Sequence, residues 1–199
     1  IYIGERHSSV VMRHVSVRES SADTGGGIYL QQWCSNFLIN SSSIKQNRAN
    51  IGGGLVSFVD GLVIQNCIIE SNDAVTSSGG VMVEGAVDYF VVLKSSISRN
   101  MAGVSSGGLS ISNSANVTIE LTEFVANKAL SRSGGAMSVS NSRDIIVRNA
   151  TFVLNYANEG GGAYIGPFSS HVTIVDARWQ ENEAEESGGA LYAAESSHI

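Results

Sequence analysis

Adjacent glycines recur at Gly26/Gly27, Gly53/Gly54, Gly79/Gly80, Gly107/Gly108, Gly134/Gly135, Gly161/Gly162 and Gly188/Gly189, a period of 26 to 28 residues. A sequence that repeats itself at this interval folds as a stack of similar units, each resting on its neighbours, rather than around one globular core. The repeat reaches beyond the glycines. Asn47, Asn72, Asn100, Asn127, Asn155 and Asn182 each stand two residues before an alanine, with Ser20 and Ala22 completing the series. Three residues before each of them is one apolar side chain: Val17, Ile44, Ile69, Ile97, Phe124, Phe152 and Trp179. Eight residues before lies the column Met12, Ile39, Ile64, Val92, Ile119, Val147, Ile174, and ten before lies Val10, Phe37, Leu62, Phe90, Val117, Ile145, Val172.

Apolar residues two apart within a row, such as Val117/Ile119 or Ile145/Val147, have the period of a strand with one buried face. A helical repeat would need apolar spacings of three and four, and a Gly-Gly pair in each unit would weaken it. The pattern therefore predicts an all-β, right-handed parallel β-helix with three short strands per turn. It has about seven turns of roughly 27 residues, and the hand follows from the twist that makes crossovers right-handed. The repeat begins in mid-unit at Ile1 and stops in mid-unit at Ile199, so residues 1–199 read as a single segment of a longer repeat protein, cut at both ends.

The formal net charge of −6 and the low content of charged residues, 15%, disfavour nucleic acid, which requires basic stripes. No run of eighteen apolar residues occurs, so the segment is not expected to insert into a membrane. Within the repeat, the asparagine column reads as a structural ladder: amides stacked at one corner donate and accept along the axis. The glycines read as positions of positive φ or of close backbone approach.

Ionisable residues give no catalytic constellation. Asp60 and Asp88 stack in neighbouring turns without a Lys, Arg or His assigned to them. Glu181, Glu183, Glu185 and Glu186 read as a solvated corner, and His7, His14, His171 and His198 occupy unrelated positions. No catalytic residue, cofactor or metal is expected. Cys34 and Cys67 fall in different columns, Cys67 at an inward site equivalent to Ser42, Ser95 and Thr122, so a disulfide between them is not expected. Asn40, Asn116 and Asn149 head N-x-S/T sequons and are candidate N-glycosylation sites if the source is a eukaryotic secreted protein. Two residues past the glycine pairs stand Tyr2, Tyr29, Val56, Met82, Met137, Tyr164 and Leu191, with Tyr2 placed by its match to Tyr29. If these side chains point outward they form an apolar interaction stripe. In the Gly-Gly-Ala turns the parity leaves Met137 and Tyr164 open to the opposite placement.

Gly-Gly-Ala followed by an apolar residue (Gly134 to Met137, Gly161 to Tyr164, Gly188 to Leu191) alternates with F-x-x-N (Phe124 to Asn127, Phe152 to Asn155). These motifs resemble the repeats of the chlamydial polymorphic membrane proteins, which are surface-exposed autotransporter adhesins. The likeness runs over the whole chain. The earlier turns depart from it, with Ile in place of Phe and Gly-Gly-Leu or Gly-Gly-Val in place of Gly-Gly-Ala. The resemblance implies an extracellular or cell-surface structural or adhesive segment, either an adhesin passenger or a filament component. Its partner would be a protein, a cell surface or a sister rod. The alternative is a carbohydrate-active scaffold of the lyase, hydrolase or epimerase kind, with its acids and bases on an outward strand face.

Overall fold

The computed structural model describes residues 1–4 and 7–194. Every strand pairs in parallel with its equivalent one turn away, which makes the chain a parallel β-helix. Four ladders run along it, named here A to D in the order the chain meets them. Sheet A has eight strands, from Tyr2–Ile3 to Leu191–Ala193, and sheet B has seven, from Ser8–Arg13 to Ser170–Val175. Sheet C has seven, from Ser16–Arg18 to Arg178–Gln180, and sheet D seven, from Ser21–Thr24 to Glu183–Ser187. The sequence pattern shows only three strands per turn because sheet D turns only a small side chain inward, although in four turns its strands run to four or five residues. Asp73–Ala74, Met101–Ala102 and Lys128–Ala129 each hold a single inward side chain, the alanine, and one residue carries no periodicity.

The three apolar columns line the shaft. Phe37, Leu62, Phe90, Val117 and Ile145 stack in sheet B, and Ile44, Ile69, Ile97, Phe124 and Phe152 in sheet C, each no more than 1% exposed. Identical register forces the rings face to face: Phe124 and Phe152 have centroids 4.9 Å apart, and Phe152 and Trp179 4.2 Å. The asparagines form a continuous buried ladder between sheets C and D. Each Nδ2 from Asn47 to Asn155 donates to Oδ1 of the next asparagine at 2.9–3.1 Å, and the backbone N–H of the same residue donates to the same oxygen. The second amide proton reaches a main-chain carbonyl of the turn before, as in Asn127 Nδ2 to Ile97 O at 2.8 Å. On the outside, ion pairs join adjacent turns. Lys45 and Arg99 flank Glu70 at 3.0 and 2.5 Å, and hydrogen bonding from Lys45 first, then the Lys45 charge and the hydrogen bond and charge of Arg99, holds that carboxyl below the usual range against the opposing cost of desolvation.

The corner from sheet D to sheet A explains the glycines. Its first residue is left-handed, a glycine in five turns (Gly25, Gly52, Gly134, Gly160, Gly188) and a serine in two (Ser78, Ser106). Its second is always glycine, because a Cβ there meets the next turn's backbone; at Gly107 it would lie 2.3 Å from Lys128 N and 2.6 Å from Gly135 O. The third is glycine or alanine, and the fourth points into the shaft. Gly134/Gly135 and Gly188/Gly189 are thus the first and second corner residues, whereas Gly26/Gly27 are the second and third.

That one-residue slip corrects the apolar stripe. Met137 pairs with Leu109 and Ala163, and Leu191 with Ala163, so both belong to the inward column, Met137 fully buried. The outward column of sheet A is Tyr2, Tyr29, Val56, Met82, Ser110, Ser138, Tyr164, Tyr192. Ser110 and Ser138 interrupt it. Val56 is itself fully buried, since a Cβ on the left-handed Gly52 would fall 2.0 Å from its Cγ2. Tyr2 stacks on Tyr29 and Tyr164 on Tyr192, with centroids 5.7 and 5.5 Å apart. Tyr29, Met82 and Tyr164 are half-buried in the crease beside the corner. The stripe is therefore a broken series of packed rungs and not a continuous exposed band.

Candidate functional site: the outer face of sheet B and the A–B edge

Each strand of sheet B has an outward residue between its two inward ones. In register these are Val11, Leu38, Val63, Val91, Thr118, Ile146 and Thr173. Val11 and Ile146 are 53% and 41% exposed, and Leu38, Val63 and Val91 half-exposed. An outward apolar band, expected on sheet A, thus lies on sheet B. Its signal was three consecutive apolar residues, as in Phe37-Leu38-Ile39 or Phe90-Val91-Val92: the outer two face the shaft, so the middle one faces out.

One step nearer the A–B corner, every sheet B strand has a left-handed residue: Ser9, Asn36, Gly61, Tyr89, Asn116, Asp144 and His171. Gly, Asn and Asp suit that conformation. The column brings together side chains that looked unrelated by position. His171 Nδ1 lies 3.2 Å from Asp144 Oδ1, Arg143 Nε lies 3.5 Å from Asp144 Oδ2, and Asn116 Nδ2 donates to Asp88 Oδ1 at 2.5 Å. Asp60 and Asp88 do stack, Asp60 Oδ1 accepting the Asp88 N–H at 2.7 Å. Asp60 and Asp88 form no ion pair with a Lys, Arg or His among the described residues, but the next carboxylate along the edge, Asp144, gathers both His171 and Arg143. Writing out this column, one residue before Phe37, Leu62 and Phe90, would have revealed it.

A groove of about 570 Å³ follows this column, lined by Asp88, Tyr89, Asn116, Thr118, Asp144, Ile146, His171 and Thr173. A second, of about 460 Å³, adjoins it at Asp88 and runs past Asn113, Asn141, Arg143 and Phe168. A third, of about 310 Å³, lies two turns back between Trp33, Phe58 and Asp60. The A–B loops that border these grooves run from two residues (113–114) to four (31–34 and 166–169), against three to seven for the D–A connections and a constant two for the B–C and C–D connections.

The remaining candidates lie elsewhere. Among the described residues no group of three or more His, Cys, Asp or Glu is placed to hold a metal ion. Glu183 continues sheet D, and Glu185 accepts a hydrogen bond from the Tyr156 hydroxyl. His198 lies outside the described residues. Cys34 and Cys67 are free and buried at different corners, and burial pushes the Cys67 thiol above its ordinary range, which keeps it unreactive. Of the sequon asparagines, Asn116 and Asn149 are exposed; Asn40 is half-buried and accepts from Ser41 Oγ and Asn66 Nδ2. None of the helices required for a membrane crossing is present among the described residues, a statement that does not bear on β-barrels.

Residues 1–178 match the family described as "right handed beta helix region". The chain belongs to the right-handed β-helix family. The match fixes the hand of the rod as right-handed and covers six full turns with most of a seventh, including the whole of both larger grooves. No curated protein sequence matches the chain.

Proposed function

We propose that this right-handed β-helix is a structural or adhesive segment of a larger extracellular or cell-surface protein. It would hold a protein, a cell surface or a sister rod against its flat faces, with no role in nucleic-acid binding or membrane insertion. The observation that carries this reading is the apolar column on the outside of sheet B. Val11, Leu38, Val63 and Val91 repeat at strand spacing over four successive turns, with Ile146 beyond the one break at Thr118, and apolar surface of this kind marks interaction sites. The resemblance of its repeats to those of the chlamydial polymorphic membrane proteins supports the surface setting. Val91→Lys combined with Ile146→Lys should weaken attachment to a partner surface, or sedimentation as a self-associated species, by about tenfold or more, because each charge would be desolvated in the contact. The melting temperature should change by no more than a few degrees, since both side chains are solvent-facing. Undiminished attachment by a folded variant would remove the sheet B face as the contact.

One observation favours the enzymatic alternative. Asp88 and Asp144 line one groove, two rungs and one position apart, roughly 10 Å at the spacing of strands, just beyond the roughly 6.5–9.5 Å between acid and base in inverting glycosidases. The adhesive reading expects no turnover when the segment is incubated with a panel of polysaccharides. Appearance of new reducing ends or unsaturated products, abolished by Asp88→Asn with Asp144→Asn, would replace it with the enzymatic one.

A further inference from the structure

The A–B edge combines two features that are each costly. Trp33 and Phe168 are 76% and 80% exposed, and both have left-handed backbones (φ 76° and 59°), a conformation that bulky residues rarely adopt. Tyr89, 55% exposed, occupies a left-handed column otherwise held by small or polar residues and one histidine. Next to Phe168, the fully buried Ser169 hydroxyl has no hydrogen-bond partner. Strain and exposure recurring along one edge of the rod point to a function that the fold does not itself require.

What Trp33 and Tyr89 share is a carboxylate. Trp33 and Phe58 border the same groove as Asp60, and Tyr89 borders a groove with Asp88 and Asp144; Phe168 caps the far end of the adjoining groove, three rungs from Asp88 and beyond Arg143. One oxygen each of Asp60 and Asp88 is engaged within the protein, by the Asp88 N–H and the Asn116 amide, which leaves the other oxygen of each carboxylate available. Arg143 and His171 are spent on Asp144. An aromatic face beside an available carboxylate is the arrangement that recognises a cation, the ring by its quadrupole and the acid by its charge. The net charge of −6 works in the same direction by steering basic partners toward the rod.

We propose that the A–B edge is a docking surface for a basic segment of a partner protein, whose Lys or Arg side chains enter the grooves between the exposed rings and Asp60 or Asp88. This rests on the adhesive reading above and names the partner's chemistry. Successive grooves along the axis would let one extended segment place several basic side chains in order, so affinity accumulates along the strand while each contact stays weak.

The test is fluorescence anisotropy on the intact segment with a labelled dodecapeptide of alternating lysine and serine, a glutamine–serine peptide of equal length, and a labelled neutral β-glucan. The lysine peptide should bind saturably at low salt and weaken steeply as salt rises. Trp33→Ser with Tyr89→Ser should cost about tenfold in affinity, the loss of two cation–π contacts. Asp60→Asn with Asp88→Asn should cost at least as much. Circular dichroism on both variants should match the parent, since all four positions are at the surface. No binding of the lysine peptide, or binding that the aromatic replacements leave unchanged, would overturn the proposal, as would tighter binding of the β-glucan. These failures leave adhesion through the sheet B face standing, whereas polysaccharide turnover would remove the adhesive reading itself.

Discussion

Phe152→Ala is expected to destabilise the rod by about 3 to 5 kcal/mol, the range for an aromatic removed from a closed core. The environment supports the upper part of that range. Phe152 is fully buried and lies flat between Phe124 and Trp179, at interplanar angles of 3° and 9°, so its loss opens a void between two rings. Collapse into the void is hindered because both neighbouring rungs are pinned by ladder hydrogen bonds on the same strands and by Asn127, Asn155 and Asn182 just beyond them. Glu123→Ala, one residue before Phe124 and pointing out, should cost less than about 0.5 kcal/mol. Urea melts of the two variants check the contrast. Equal midpoints would mean that the F-x-x-N ring is not a core residue.

How much of this was legible in the sequence depends on the type of signal each residue carries. The inward columns repeat seven times with apolar identity preserved, so Phe37, Ile39 and Ile44 could be placed inside by counting alone. The asparagine corner was visible because one residue type supplies two donors and one shared acceptor in every turn after the first, where Ser20 stands. Sheet D was not visible, since Ala74 and Ala102 mark it with nothing but a small side chain. The stripe went wrong for a different reason. Gly-Gly is a poor origin for counting, because the corner tolerates alanine at its third residue, Ala136 and Ala190, so the pair slides by one relative to the strand and the residues after it exchange faces. Counting from the asparagines would have preserved the register. The grooves were hidden by the left-handed residue in each sheet B strand. Its column alternates among Asn36, Gly61, Tyr89, Asn116, Asp144 and His171, a series with no common chemistry and therefore no apparent repeat, although it sets Asp144 beside His171.

Asn127→Ala should cost about 3 to 5 kcal/mol, comparable to the aromatic deletion although it removes fewer atoms. Asn127 Oδ1 is the acceptor for both the Asn100 N–H, at 3.1 Å, and the Asn100 Nδ2, at 3.0 Å, and its own Nδ2 donates to Ile97 O at 2.8 Å and to Asn155 Oδ1 at 3.1 Å. Asn100, Asn127 and Asn155 are all fully buried. The substitution therefore strands two donors of Asn100 and deprives a carbonyl of its partner, each worth about 1 to 3 kcal/mol when water cannot replace it. The methyl fills too little of the corner to compensate. Asn141→Ala is the control: its amide donates to Asn113 Oδ1 in the same rung-to-rung manner, but at the surface, where solvent takes over, so about 1 kcal/mol or less is expected. Because each turn of a solenoid touches only its neighbours, the damage from Asn127→Ala should be local. Amide exchange should accelerate first in the turns holding Asn100, Asn127 and Asn155, while the turn of Asn47 keeps its protection until global unfolding. Uniform acceleration along the rod, or equal stability of the two asparagine variants, would show that the buried amides are not what locks one turn to the next.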